Sequence, residues 1–274
     1  MSGPQSSEWL RSSIGHSSSD SITVRGRNLA DDLMGHMSFA DLAFLLASGR
    51  EPSEGESTLF NAVLVALADH GLTPTALAAR LTYTGAPEAL QGALAAGLLG
   101  AGSVFLGPVE DTARFLHEIL ADVPSDPDEA DVSLETLADE AVEAAVVAGR
   151  KIPGLGHPIH KGTDPRTPRI YQLAEQTDLA GPHLKLLEHV AAAHRKATGK
   201  ALPINGAGAA GAALADLGFP PFLTRGFALL ARAAGLIGHL AEEAEEPLGM
   251  RLWREVDRRA AGAAEAGSDS AGSQ

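Results

Sequence analysis

The stretch Arg150–Arg169, RKIPGLGHPIHKGTDPRTPR, decides how this chain is read. It holds three glycines, four prolines and two histidines, His157 and His160, beside Arg150, Lys151, Lys161, Arg166 and Arg169. Proline removes a backbone donor and fixes φ, and glycine favours bends, so no regular helix or central strand runs through it. The composition predicts an ordered loop. Set between alanine-rich helical segments, a loop this basic and titratable is where chemistry is expected. From Arg150 to Lys200 nine Lys or Arg stand against four Asp or Glu, inside a chain of net charge −14. That local reversal predicts a small polyanionic ligand, because the rest of the surface repels one.

Outward from the loop, the 274 residues are 45% apolar, enough for one large domain or two. Absence of cysteine excludes disulfides and Cys-based metal or redox sites and fits a reducing compartment. An acidic balance with 4% aromatics argues against nucleic acid, which needs a basic face and stacking rings. No basic-then-apolar leader is visible, and Ala93–Gly107 is too short and glycine-rich to span a bilayer. The expectation is a soluble, cytoplasmic protein.

The flanks read as helices. Ser38 is an N-cap for FADLAFLLAS with Gly49 as its stop, and Ser53 with Glu56 makes a capping box. Thr73-Pro74 starts another helix and Pro87 opens one carrying Leu90, Leu94, Leu98 and Leu99 at helical spacing. Further helices are expected over 133–147, 167–176, 182–196, 207–217, 225–243 and 247–258. SITVR at 21–25 is the one stretch with strand character, 125–131 is an acidic linker, and 1–20 and 259–274 are expected to be flexible tails. The fold class is all-α, with alanine and glycine letting helices approach closely.

Several residues could carry chemistry. His157 follows Gly154-Leu155-Gly156, whose freedom lets main-chain N–H groups face a ligand. His70, in ALADHGLTPT, either caps a helix or donates a hydrogen bond to a carboxylate or keto oxygen. HPIH could be a metal pair, but the segment is not helical and no third Cys or His lies nearby in sequence, so no metal site is assigned. Gly206-Ala-Gly-Ala-Ala-Gly211 matches a dinucleotide fingerprint, yet KATGKALPIN before it is no strand. Those glycines instead suit close helix packing, with Asn205 as the N-cap. Arg232, on an apolar helix, must snorkel, pair with an acid such as Glu242 or Glu243, or bind an anion.

Taken in order, these motifs resemble the citrate synthase superfamily. GLGHPIHK with DPRTPR looks like its GxGH and DPR signature, ALADHGLTPTALAAR its first histidine motif, and LARAAGLIGHLAEE its late arginine helix. VRGRNLADDL with FADLAFLLASGREP is similar to the family's opening, and LTYTGAPEALQGALAAGLLGAGSVFLG looks most like the short citryl-CoA lyases. The resemblance implies an all-helical homodimer, with a large domain at 21–111 and 221–258 and a small one at 112–220. It implies a CoA thioester and an oxo-diacid as ligands, and no metal. His70, His157, Arg166 and Arg232 would hold carboxylates, and Arg251 would reach the partner's site. Lys151, Ile152, Pro153, Gly154, Leu155, Gly156 and Lys161 would line the CoA side.

Two departures bear on mechanism. Where the family carries GPLHG this chain has Gly107-Pro108-Val109-Glu110-Asp111, so Glu110 replaces the enolisation histidine. Where the family places its catalytic aspartate, Pro203-Ile204-Asn205 runs into Gly206-Ala207-Gly208 with no carboxylate, and Asp216 lies three turns further on. Acetyl-CoA condensation needs a placed carboxylate and an enolate-stabilising donor. Citryl-CoA cleavage first needs a base for the tertiary hydroxyl, which His157 could be, with Glu110 protonating or polarising the enol. The expected function is therefore carbon–carbon bond cleavage or formation between a CoA thioester and an oxo-diacid, cleavage preferred. The alternatives are synthase-type acyl transfer, a regulatory protein that binds CoA and carboxylates without turnover, and a helical scaffold that keeps the fold alone.

Overall fold

The computed structural model describes residues 12–121 and 133–271. The expected linker at 125–131 lies outside them. Three short strands, β1 (Gly15–Ser17), β2 (Ile22–Val24) and β3 (Arg27–Asn28), form an antiparallel sheet in the order β1-β2-β3. Arg25 and Gly26 between β2 and β3 both take positive φ, at 50° and 80°, as a tight two-residue hairpin requires. β1 therefore occupies part of the segment expected as a flexible tail. A single wide π turn, Leu29–Leu33, then leads into the helices.

The rest is α-helical: α1 (Phe39–Ser48), α2 (Glu54–Ala68), α3 (Pro74–Gly85), α4 (Leu90–Leu99), α5 (Gly107–Ala121), α6 (Leu134–Val147), α7 (Arg166–Gln176), α8 (Pro182–Thr198), α9 (Gly206–Asp216), α10 (Pro221–Glu245) and α11 (Gly249–Ala271). Ser38 caps α1, Gly49 ends it at φ 81°, and the Ser53–Glu56 capping box is complete in both directions. α4 starts at Leu90, three residues after Pro87. α11 continues past Arg258 to Ala271, where alanine-rich sequence has good helix propensity. α5 is not among the helices expected from the sequence. Proline in a first helical turn costs little, and Val109, Ala113 and Leu116 bury one face.

One large core joins α1, α2 and α5 to α10, and a smaller one packs Ala76, Ala79 and Ala93 against Leu236 and Leu240 of α10. Phe44, Phe60, Phe219 and Phe227 cluster edge-to-face in the first. No helix among the described residues is long and apolar enough to cross a membrane.

α9 is the central element, and its glycines have a steric role. A Cβ on Gly211 would lie 2.3 Å from the Val109 carbonyl oxygen on α5. One on Gly208 would lie 2.6 Å from the Cα of Gly154 in the basic loop, and one on Gly206 would lie 2.3 Å from Nε of Arg166. The fingerprint-like spacing is thus a packing stripe: helix against helix, loop against helix, and guanidinium against helix end. Asp216, at the far end of α9, accepts hydrogen bonds from the backbone N–H groups of His183 and Leu184 and so caps α8. Since overpacking costs about 1–3 kcal/mol, Gly208→Ala is expected to lower the unfolding free energy by that much, read as a lower denaturant midpoint. Gly92→Ala, whose Cβ meets only Ala89 at 3.7 Å, should hold or raise the midpoint.

Candidate active site

The basic loop is fixed before it reaches any ligand. Gly154 and Gly156 take φ of 81° and 79°, conformations that side chains resist. Leu155 makes a single antiparallel bridge to Ile204, Gly156 N–H donates to the Pro203 carbonyl at 2.7 Å, and Asn205 N–H donates to the Gly154 carbonyl at 2.9 Å. The Asn205 side chain caps α9 by accepting from Gly208 N–H at 2.8 Å and donates to the Gly156 carbonyl at 2.7 Å. It therefore links helix and loop, through one amide N–H and its carbonyl oxygen.

Beyond the bend, Asp164 is completely buried and takes three hydrogen bonds from Arg166, through its backbone N–H, Nε at 3.0 Å and NH2 at 2.8 Å. Gly206 N–H adds a fourth at 2.8 Å. Burial alone would raise the carboxyl's pKa, but the donors of Arg166 and Gly206 outweigh it and hold the group well below the usual carboxylate range. The result is a rigid guanidinium at the head of α7.

Four sequence-assigned groups share one cavity of about 880 Å³: His70 after α2, His157 in the loop, Arg166, and Arg232 from α10. Lys151, Ile152, Pro153, Gly154, Leu155 and Gly156 line it as well, together with Asn205 and Ala207, so no carboxylate stands at the head of α9. Apolar walls come from Leu67, Leu72, Val104, Phe105 and Leu106. Other assigned residues lie elsewhere. Lys161 does not line the cavity; its ammonium donates to the His157 carbonyl at 3.1 Å. Arg251 is exposed on α11. Glu110 does not line the cavity either, since its carboxylate pairs with Arg114 and, at 3.7 Å, with Arg225. The acid that sequence reasoning passed over is its neighbour Asp111, the one carboxylate among the cavity-lining residues. Asp111 is exposed while Glu110 is half-buried, and spacing from the buried Val109 and Ala113 would have favoured Glu110, so no sequence signal pointed to Asp111.

Arg232 is 6% exposed, and its Nε and NH1 have no hydrogen-bond partner. The nearest acid, Asp69, is 4.0 Å from NH1, while Glu242 and Glu243 pair with Arg80 instead. Burial, partly offset by Asp69, pulls its pKa down from the usual arginine value. A buried guanidinium with free N–H groups is unstable until an anion supplies acceptors.

The fold brings His70 to the HPIH pair, so the third imidazole that sequence spacing lacked is present. Ring nitrogens of His70, His157 and His160 all lie within 4.8 Å of one another, with Nε2 of His70 and of His160 3.4 Å apart. His157 is tied down, however: its Nδ1 accepts from the N–H groups of Ile159 at 3.1 Å and His160 at 3.0 Å. Backbone amides only donate, so in the neutral ring the proton sits on Nε2, and His157 presents a donor rather than a lone pair. Burial first, then neighbouring cations and imidazoles, lowers the pKa of both His70 and His157 below the ordinary histidine value, against the opposing pull of Asp164.

Residues 36–255 match the family model described as citrate synthase, C-terminal domain, and the chain belongs to that family. Citryl-CoA lyase from Hydrogenobacter thermophilus is 34% identical, with 85% of this chain and 86% of that one covered at a TM-score of 0.75. An ATP citrate lyase variant from Methanosaeta concilii, solved with (3S)-citryl-CoA, shares the fold at 23% identity and a TM-score of 0.70, over 89% of this chain and 40% of that one. ATP-citrate synthase beta chain protein 1 from Oryza sativa subsp. japonica is 29% identical over 207 residues, 69% of this chain and 32% of that protein. The chain thus spans about a third of the length of such curated relatives.

The depressed pKa values set a direction for acid stability. An imidazole harder to protonate when folded leaves the unfolded chain binding more protons below its ordinary pKa of about 6.5, so stability is full above that value and falls beneath it. Asp164 adds stability present above the usual carboxylate pKa, which is lost only at lower pH still. Denaturant midpoints should therefore fall from about pH 7.5 to about pH 5.5. The double variant His70→Gln/His157→Gln should flatten that slope, and a midpoint that rises on acidification contradicts the assignment.

Proposed function

We propose that this chain cleaves or forms the carbon–carbon bond between a CoA thioester and a four-carbon oxo-diacid, with citryl-CoA giving acetyl-CoA and oxaloacetate as the reaction. The observation that carries this reading is Arg232: a buried guanidinium with two unpartnered nitrogens, in one cavity with Arg166, His70 and His157. Two guanidiniums and two neutral imidazoles suit a substrate with several carboxylates beside a carbonyl or hydroxyl. The apolar reach along Val104, Phe105 and the Lys151–Gly156 loop gives room for a thioester arm, with Lys151 facing phosphate. The homologous lyase of Hydrogenobacter thermophilus supports the choice of cleavage over synthesis.

The chemistry divides among named groups. Arg166, Arg232 and His70 hold carboxylates. His157, donating through Nε2, holds the oxygen that is hydroxyl in citryl-CoA and carbonyl in oxaloacetate, so the base role that its sequence context suggested passes to another group. Asp111 has that capacity. Its carboxylate takes the hydroxyl proton as the C=O forms, and the C–C electron pair moves into the thioester enolate. The same proton then returns to the enolate carbon, so no net charge or proton is left on the protein. The acyl-CoA substrate, its partner subunit in a homodimer with Arg251 at the second site, and a cytoplasmic setting belong to this same proposal.

A second reading, a protein that binds CoA and carboxylates without turnover, is favoured by one observation. Asn205 lines the cavity but commits both ends of its amide to backbone, and so can move no proton. Citryl-CoA incubated with the protein separates the two. Release of oxaloacetate, abolished by His157→Ala and reduced about 10²–10⁴-fold by Asp111→Asn but unchanged by Glu110→Gln, is expected for the enzyme. Tight ligand binding with no product in either direction establishes the binder.

A further inference from the structure

Behind the wall of the cavity a chain of charged and polar groups runs from Arg232 through Asp69, His239 and Arg80 to Glu243. The geometry points to His239 as a positioning residue that sets Arg232 and the turn after His70 by fixing Asp69. This rests on the reading that the cavity takes an oxo-diacid. It concerns a residue that does not line the cavity.

The polarity of the chain is dictated at one end. Arg80 is 3% exposed, and its Nε and NH2 lie 3.3 and 3.1 Å from Nδ1 of His239. Arginine has donors only, so Nδ1 must accept and the ring proton belongs on Nε2. That proton is donated to Oδ1 of Asp69 at 2.9 Å. The other oxygen of Asp69 accepts from Gly71 N–H at 2.8 Å, which fixes the turn that follows His70. Asp69 also faces Arg232 NH1 at 4.0 Å, close enough to steer the guanidinium but too far to satisfy it. Burial alone would push the Asp69 carboxyl up, but the Gly71 amide and His239 more than offset it, and the group stays ionised.

The far end is anchored. Glu243, 3% exposed, accepts from Arg80 NH1 at 3.0 Å, from Leu248 N–H at 3.0 Å and from Gly249 N–H at 2.7 Å at the head of α11. Arg80 cannot turn away without leaving the buried Glu243 carboxylate without its counter-charge, so the acceptor role of His239 is enforced from outside the site. A neutral ring donating to a carboxylate that neighbours a ligand-facing cation is a common way to hold a functional group at one angle.

A merely structural network would tolerate any side chain that fills the space, and this difference gives the test. Glutamine can reproduce the polarity, its oxygen accepting from Arg80 and its N–H donating to Asp69; leucine fills similar volume and does neither. Oxaloacetate binding is measured by calorimetry for the full chain, His239→Gln and His239→Leu, with thermal melting of each. The expected result is affinity within about threefold for glutamine and about 10- to 100-fold weaker for leucine. If the leucine variant does not fold, His239→Ala is compared with glutamine by the same ratio. Equal affinity for leucine and parent, or equal weakening by glutamine and leucine, overturns the positioning role alone. If the parent chain binds no oxaloacetate, the oxo-diacid reading fails and this inference goes with it.

Discussion

The basic loop meets α9 backbone to backbone, Gly154 against Gly208, and every feature of the cavity depends on that contact. Without side chains between them the loop can lie close enough for the Leu155–Ile204 bridge and the Asn205 amide to hold it. The same approach lets Gly206 N–H reach Asp164, and so fixes Arg166. A fold of ordinary helices thereby gains one rigid irregular segment whose imidazole and guanidinium are placed by main-chain geometry. Flexible side-chain choice has little part in it.

Electrostatically the site is divided into a paired and an unpaired half. Arg166 is compensated by a fully buried carboxylate and acts as a fixed wall. Arg232 is not compensated, and its nearest acid stops short of hydrogen-bond distance. The folded state thus carries, at this cavity, the cost of a buried cation that an anion would relieve. The imidazoles of His70 and His157, whose pKa values are lowered, line the same cavity and add polar groups without favouring further positive charge.

Much of this was legible in the sequence because it rests on backbone chemistry. Caps at Ser38 and Ser53, the positive-φ stop at Gly49 and the helices started at Pro74 and Pro182 follow from local rules, and the structure repeats them. Motif order pointed to the loop and to His70, His157, Arg166 and Arg232, which the fold brings to one cavity. What was not legible depended on tertiary distance. His160 meets His70 across 90 residues, and the tautomer of His157 is set by two amides within its own turn. Asp111 borders the cavity from the exposed side of α5, a placement that its spacing from Val109 and Ala113 does not announce. The Arg80–His239–Asp69 chain joins α2, α3 and α10, and no spacing rule connects its members.

The central claim is that Arg232 waits for a substrate carboxylate. A crystal structure with citrate or citryl-CoA bound tests it most directly. The account requires carboxylate oxygens at about 2.7–2.9 Å from Nε and NH1 of Arg232, with Arg166 on the same ligand. A ligand seated elsewhere, with those two nitrogens still unpartnered, contradicts it.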